Sequence, residues 1–247
     1  MIELNKIYNE NCLETMARMP DNFIDMAITS PPYNVGIDYG GGSDLDHVPI
    51  SNYYEFANSI MRSLFRITKD GGRICFEIGG SGRNTPMSWV WQDSAYKNGW
   101  SLFSEIVIEH RKTNACAWGS WMKADNVYTI PNFHLLYVFY KTTSTKRGEA
   151  TEITSEQFSE WTRGRWQINW QGHKGHPASF PKQLPKRCLA LFGHKGDVVY
   201  DPMCGSGTTW VACIETKRDF IGSEISREYC DIANERLKPY LQQTTLL

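Results

Sequence analysis

The sequence predicts an α/β protein built on a doubly wound, mostly parallel sheet. Two observations predict it. Apolar runs of strand length alternate with runs of helical spacing towards both ends of the chain, and a glycine loop sits where one of those strands hands over to a helix. At 247 residues the chain can bury one good α/β core, with little left for a second domain.

In chain order, Cys12 to Met19 reads as a short helix capped by Asn11, with Glu14 in a capping-box arrangement and Pro20-Asp21-Asn22 closing it. Ile24 to Thr29 is an apolar strand, stopped at Ser30-Pro31-Pro32-Tyr33 because proline has no N–H to give to a ladder. A loop with Gly36, Gly40, Gly41 and Gly42 follows. Phe56, Ile60, Leu64 and Ile67 recur at helical spacing, Gly71-Gly72 marks a turn, and Ile74 to Ile78 is a second buried strand. Met87 to Lys97 suits a helix, and Leu102 to Ile108 and His134 to Tyr140 suit two neighbouring strands at a sheet edge. Thr142 to Gly175 is polar without a clean period and reads as an insert or small subdomain. From Asp197 the alternation returns: strand Val198 to Tyr200, the glycine loop, helix Thr208 to Glu215 and strand Phe220 to Ser223. A last helix is capped by Ser226 and carries Tyr229, Ile232, Ala233, Leu237 and Tyr240 on one side. The division expected is 1–141 and 176–247 as two parts of one domain, with 142–175 inserted between them.

Composition narrows the function classes. A hydrophobic content of 41% with 21% charged residues is that of a globular chain, neither disordered nor fibrous. The apolar stretch Leu135 to Tyr140 is far too short to cross a bilayer, and Met1-Ile2-Glu3-Leu4-Asn5 lacks the regions of a secretory signal, so a cytoplasmic protein with no membrane partner is expected. Seven scattered cysteines (Cys12, Cys75, Cys116, Cys188, Cys204, Cys213 and Cys230) form no C-x-x-C pair, which argues for reduced thiols rather than disulfides or zinc. His173 and His176 have an H-x-x-H spacing, but no Cys or carboxylate pattern joins them, and no metal is expected. The net charge of −1 exerts no global pull on nucleic acid. Locally, Lys141 to Lys195 holds ten Lys or Arg against four Glu, interleaved with Trp161, Trp166, Trp170 and Phe180. A solvated surface is the plainer reading; stacking on bases while holding phosphates is the functional one.

The segment from Asp201 through Pro202, Met203, Cys204, Gly205, Ser206, Gly207 and Thr208 to Thr209 lies between a strand and a helix, where open α/β sheets bind ligands. No Lys follows the second glycine, so it is not a phosphate loop, and Trp210 stands where a dinucleotide fingerprint needs a third glycine. Glu224 ends the next strand, where a carboxylate meets ribose hydroxyls, so a nucleoside without phosphates is implied. A tight turn followed by a surface Glu is the alternative.

The Pro31-Pro32 turn could simply end a strand, with Tyr33 as an ordinary half-buried aromatic. Its chemical reading is more specific. The exocyclic nitrogen of cytosine or adenine delocalises its lone pair into the ring and attacks poorly until acceptors hold its two hydrogens. Ser30 Oγ and the Pro31 carbonyl could supply those acceptors while Tyr33 stacks on a base turned out of the helix. No covalent intermediate and no cysteine nucleophile are needed.

Thr29-Ser30-Pro31-Pro32-Tyr33-Asn34, followed later by Asp201-Pro202-Met203-Cys204-Gly205-Ser206-Gly207-Thr208-Thr209, closely resembles the amino-group DNA methyltransferases of the beta class. The resemblance extends to Asn9 through Glu14, to His176 through Pro181 and to Phe220 through Glu224. It implies a seven-stranded, Rossmann-like methyltransferase sheet with circularly permuted motif order, and S-adenosylmethionine as the cofactor. By the same resemblance Asp201, Cys204, Gly205 and Gly207 line its methionine portion, and Thr29, Ser30, Pro202, Ser206, Thr208 and Thr209 belong to the same cofactor site. Glu224 meets the ribose, Asn11 and Cys12 the adenine edge, and Phe180 packs nearby. The family usually has Asp where Asn11 stands, so a helix cap is the reading taken for that residue. The class places target recognition in the position of 142–175, and Arg163, Arg165, Lys174 and Lys182 are the expected DNA contacts. So short an insert implies that recognition depends on a homodimer, common in the class, or is modest.

Ser-Pro-Pro-Tyr is more typical of members acting on cytosine and Asp-Pro-Pro-Tyr of those acting on adenine, so the resemblance favours N4 of cytosine, with N6 of adenine as the alternative. A DNA-binding module without turnover, and amino methylation of RNA or of a protein amide, are the more distant readings. The loop Gly36 to Gly42 is expected to close over the target base, an inert loop being the alternative, and Trp118 and Trp121 are left outside the site.

Overall fold

In the run Ile24–Thr29 every residue but Asp25 is buried, which places that strand at the centre of a sheet covered on both faces. The computed structural model describes residues 2–34, 48–79, 87–110, 133–149, 153–169 and 180–244. Its elements are β1 (Lys6–Tyr8), α1 (Cys12–Ala17), β2 (Ile24–Thr29), α2 (Ile50–Ile67), β3 (Thr68–Gly79), α3 (Met87–Lys97), β4 (Trp100–His110) and β5 (Phe133–Lys141). They continue with α4 (Ser155–Trp161), β6 (Arg165–Ile168), α5 (Gln183–Phe192), β7 (Val198–Asp201), α6 (Thr208–Glu215), β8 (Asp219–Ser223) and α7 (Arg227–Thr244).

The eight strands of the described residues join one sheet in the order β1-β8-β7-β2-β3-β5-β4-β6. Parallel ladders join β1 to β8, β8 to β7, β7 to β2, β2 to β3 and β4 to β6; β5 runs antiparallel to β3 and β4. The α/β class and the mostly parallel sheet agree with the sequence, while the strand count is eight rather than seven. One strand comes from the polar stretch after Thr142: β6 pairs with β4 through Val107↔Arg165 to His110↔Ile168, so β4 is not the edge. Gly71-Gly72 does not separate helix from strand either. The strand runs through it, Gly71 adopting φ 76°, while the register against β2 jumps from Ile24↔Thr68 to Met26↔Arg73.

Alternation along the strands feeds two cores. Ile24 and Ala27 of β2, with Ile74, Phe76 and Ile78 of β3, face α1, α2 and α3; Met26, Ile28 and Cys75 face α5, α6 and α7. Helix α2 buries Tyr53, Ala57, Ile60, Met61, Leu64 and Ile67 at three- and four-residue spacing and ends as Thr68 Oγ1 donates to the Leu64 carbonyl at 2.7 Å. Helix α6 must approach β8 closely: Trp210 stacks on Phe220 with centroids 4.9 Å apart and lies over Gly222. A Cβ on Gly222 would stand 2.0 Å from Trp210 Cζ2, and Trp210 is fully buried with nowhere to move. Gly222→Ala is therefore expected to destabilise the fold by about 3 kcal/mol, readable as a lowered midpoint in urea.

From β7 the chain crosses through α6 to β8 on one side; from β2 it crosses through α2 to β3 on the other. The gap between the carboxyl ends of β7 and β2 is thus the point where winding reverses, the place such sheets offer to ligands.

Candidate active site

Two loops meet at that gap: the turn Ser30–Tyr33 leaving β2 and the loop 202–207 leaving β7. The turn is held from below. Tyr53 Oη donates to the Pro32 carbonyl at 2.6 Å and accepts from Trp91 Nε1 at 2.8 Å, while the Asn34 side chain exchanges two hydrogen bonds with the Val48 backbone at 2.9 and 2.7 Å.

Ser30 Oγ lies 2.9 Å from Tyr33 Oη, which donates to Glu77 Oε2 at 2.8 Å. Glu77, near the end of β3, is 1% exposed, and its other oxygen pairs with His134 Nδ1 at the start of β5. The antiparallel register Gly79↔His134 brings the imidazole to this end of the sheet, and its ring meets the Tyr33 ring edge-on at 5.9 Å. Burial alone would push the Glu77 carboxyl up, but the His134 charge and hydrogen bonds from His134, Ser30 and Tyr33 outweigh it and hold the group below its usual range. Sequence reading missed Glu77 and His134. The one available signal was a carboxylate inside the apolar run Ile74-Cys75-Phe76-Glu77-Ile78, a place where a charge demands a partner.

Across the gap, Gly205 and Gly207 take φ 49° and 76°, the left-handed conformation that folds the loop back upon itself. Glu224 fastens it: Oε2 accepts from the Gly205 amide and Oε1 from the Ser226 amide, both at 2.9 Å. Asp201 accepts from Thr209 Oγ1 at 2.6 Å and from the Met203 amide at 3.2 Å. Arg236 of α7, also unforeseen, donates to the Ser206 carbonyl at 3.1 Å and to Thr208 Oγ1 at 3.0 Å. Asn11 caps α1 by accepting from the Leu13 amide at 2.9 Å, and its neighbour Cys12 lies close enough to feel the Glu224 and Asp201 charges. Phe180 is buried in the same core as Cys204.

This half of the site is short of positive charge. Burial pushes the Asp201 carboxyl up to about 7 against hydrogen bonds from Thr209, Met203 and Thr29, and Glu224 adds to the rise; burial also lifts Glu224. Ser206 Oγ is buried without a hydrogen-bond partner among the described residues. Two buried carboxylates and an unanswered hydroxyl suit a cationic, hydroxyl-bearing nucleoside, so the residues fit S-adenosylmethionine. Burial pushes the Cys12 thiol up to about 12 and that of Cys204 well above its usual value, so neither offers a nucleophilic thiolate.

Among the described residues, the expected DNA contacts Arg163, Arg165 and Lys182 do not form one cluster of free cations. Arg163 is exposed beside α4, Arg165 pairs with Glu109 at 2.8 Å, and Lys182 pairs with Glu215 at 2.7 Å. Trp166 cannot stack on a base: it is fully buried, donates to the Trp161 carbonyl at 2.7 Å and has the Arg187 guanidinium 5.5 Å from its ring centroid. Lys174, Trp170, His173, His176, the Gly36 to Gly42 loop, Trp118 and Trp121 lie outside the described residues. Among the described residues no cluster of His, Cys, Asp or Glu is arranged to hold a metal, and no helix is long and apolar enough to cross a membrane.

A family model described as DNA methylase matches residues 24–235. The orphan methyltransferase M.BamHII of Bacillus amyloliquefaciens is 28% identical over 90% of this chain and 91% of its own. The type II methyltransferase M.SmaI of Serratia marcescens is 26% identical over 94% and 90%. Among solved structures, the cytosine-N4-specific PvuII DNA methyltransferase aligns with a TM-score of 0.72 at 18% identity, covering 98% of this chain and 93% of that one. TTHA0409 of Thermus thermophilus, complexed with S-adenosyl-L-methionine, aligns at 0.73 with 22% identity over 95% and 93%.

Proposed function

The chain belongs to the family of amino-group DNA methylases, and from that membership we propose that it methylates the exocyclic amino group of a flipped base in DNA, N4 of cytosine, using S-adenosylmethionine. The observation that carries this reading is the meeting of an acceptor-bearing turn and a carboxylate-lined glycine loop at the ends of the neighbouring strands β2 and β7, roughly 5 Å apart as adjacent strands are. Bound there, S-adenosylmethionine supplies an electrophilic methyl group on a sulfonium.

The chain's own part is to hold and orient. Ser30 Oγ and the Pro31 carbonyl accept the two amino hydrogens, favouring the pyramidal nitrogen that attacks, and Tyr33 stacks on the base; Pro32 closes the turn with its carbonyl fixed by Tyr53. Asp201 and Glu224 supply the negative charge and ribose contact, with Thr29, Pro202, Cys204 to Thr209, Cys12 and Phe180 shaping the rest. Asn11 acts through its helix cap. Arg163, Arg165 and Lys174, in the recognition part 142–175, together with Lys182, contact DNA, for which Arg165 and Lys182 exchange their present ion pairs for phosphates. The small recognition part is complemented by a second copy of the chain, and the enzyme works in the cytoplasm. Ser30 in place of Asp supports cytosine.

Duplex DNA incubated with the protein and labelled S-adenosylmethionine, then digested to nucleosides for mass spectrometry, is expected to yield 4-methylcytosine. 6-Methyladenine would move the target to adenine, and label appearing only in RNA or protein would remove DNA as the substrate.

A further inference from the structure

Tyr33 has one hydroxyl proton and donates it to Glu77, so Ser30 is the donor towards this pair, to Tyr33 in the 2.9 Å contact between the two hydroxyls or to Glu77 itself. The order of protons therefore runs from Ser30 to Tyr33 to an ionised Glu77, and Ser30 Oγ keeps lone pairs to accept from elsewhere. Were Glu77 protonated, its carboxylic O–H could donate to Tyr33, Tyr33 could donate to Ser30, and the Ser30 proton would turn outward. A hydroxyl that turns its proton towards the amino group repels that group's hydrogens and, with one lone pair already used by Tyr33, is a poorer acceptor for them.

We propose that the contact between the buried Glu77 carboxyl and the half-buried His134 imidazole is a polarity lock: His134, a positioning residue acting through Glu77, keeps the two hydroxyls pointed inward so that Ser30 meets the substrate only as an acceptor. The geometry is specific to that task. Glu77 is sealed from solvent, one of its oxygens is used by Tyr33 and the other by His134, and the His134 ring braces the Tyr33 ring edge-on. Among the described residues, the ionisable side chains that act on Glu77 include His134 from β5, Tyr33 from the turn after β2 and Cys188 from α5, which in turn meets Cys75 of the same strand as Glu77. The two thiols are buried and Cys188 is pushed well above its usual value by burial, so His134 is the described side chain of this set whose protonation can supply positive charge. Remove it and only the hydrogen bonds from Ser30 and Tyr33 remain to oppose burial, which drives Glu77 towards its neutral form. This rests on the amino-methylation reading for its functional meaning, but the protonation of Glu77 does not.

The test compares wild type, His134→Ala and His134→Gln by two readouts. In kcat against pH, with KM for S-adenosylmethionine followed alongside, the wild type is expected to hold its rate down to about pH 6, and both variants to lose about tenfold between pH 8 and pH 6 with little change in KM. Added imidazole should return the His134→Ala limb towards wild type. In infrared difference spectra, a buried carboxylic acid should appear in both variants near pH 6 and vanish when Glu77→Gln is added. An acid limb that stays in place, or variants without that carboxylic acid, would overturn the proposal. If no substrate is methylated by the wild type, the spectra still decide the lock, so the failure of the two readings can be told apart. Should His134→Ala fail to fold, His134→Gln keeps a donor to Glu77 without the charge.

Discussion

Ser30→Ala should lower kcat by on the order of a hundredfold to a thousandfold while leaving the affinity for S-adenosylmethionine and the melting temperature close to wild type. The reasoning is local. Ser30 Oγ contacts Tyr33 and Glu77, and when it is removed Glu77 keeps its hydrogen bonds from Tyr33 and His134, so no buried group is orphaned. The residue is half-buried, and deleting one oxygen opens no cavity of consequence. What disappears is an acceptor placed for a hydrogen that becomes more acidic as the nitrogen takes on the methyl group, an interaction stronger in the transition state than in the ground state. Single-turnover rates with labelled donor would show it. A loss confined to KM would mean that Ser30 only helps to bind the base.

Asp201→Asn should weaken S-adenosylmethionine binding by at least tenfold and yet make the free protein more stable. The carboxyl titrates near 3.8 in an unfolded chain and at about 7 in the fold, where burial is the leading cause. The folded state therefore binds more protons between those values, and stability falls as pH rises through that window. Below it both states are protonated and the group is neutral to folding; above it the full cost, on the order of 2–4 kcal/mol, is present. Asparagine removes the charge but keeps one acceptor for Thr209 or Met203, so a net gain of about 1 kcal/mol, or 2–4 °C in Tm, is expected at pH 8. A cationic ligand beside Asp201 favours its ionised form, so binding should release a proton below about pH 7, measurable by calorimetry in buffers of different ionisation heat. Proton release that persists in Asp201→Asn would locate the titrating group elsewhere.

Local pattern makes some of this fold readable and hides the rest. Ile24–Thr29, Met87–Lys97 and Thr208–Glu215 come out with the bounds read from the chain, because in each an apolar pattern is closed by proline, glycine or a polar break. Helix α5 escapes such a reading although Leu184, Cys188, Leu189 and Phe192 lie on one buried face; Pro185 and the Lys186-Arg187 pair interrupt that pattern in one dimension and not in three. Strands β1 and β6, of three and four residues, are defined by the partners they meet, β8 and β4, and carry almost no signal alone. The site divides in the same way. Ser30 to Tyr33 and the glycine loop are contiguous, so their chemistry can be recognised as a string. The partnership of Glu77 with His134 exists only because an antiparallel ladder folds residue 134 back against residue 79.

Two parallel ladders, β2 on β7 with Met26 beside Val199 and the edge strand β1 on β8 with Lys6 beside Ile221, couple ends of the chain that are made far apart in time. A ribosome releases the base-holding turn long before the strand that must flank it, and until then β2 has one unpaired edge lined by open amides and carbonyls. Contacts of such long sequence separation form late and slowly, and exposed strand edges recruit other chains. Refolding from denaturant should accordingly be slow and limited by protein concentration, with the donor site assembled at the last step and soluble yield rising when synthesis is cooled.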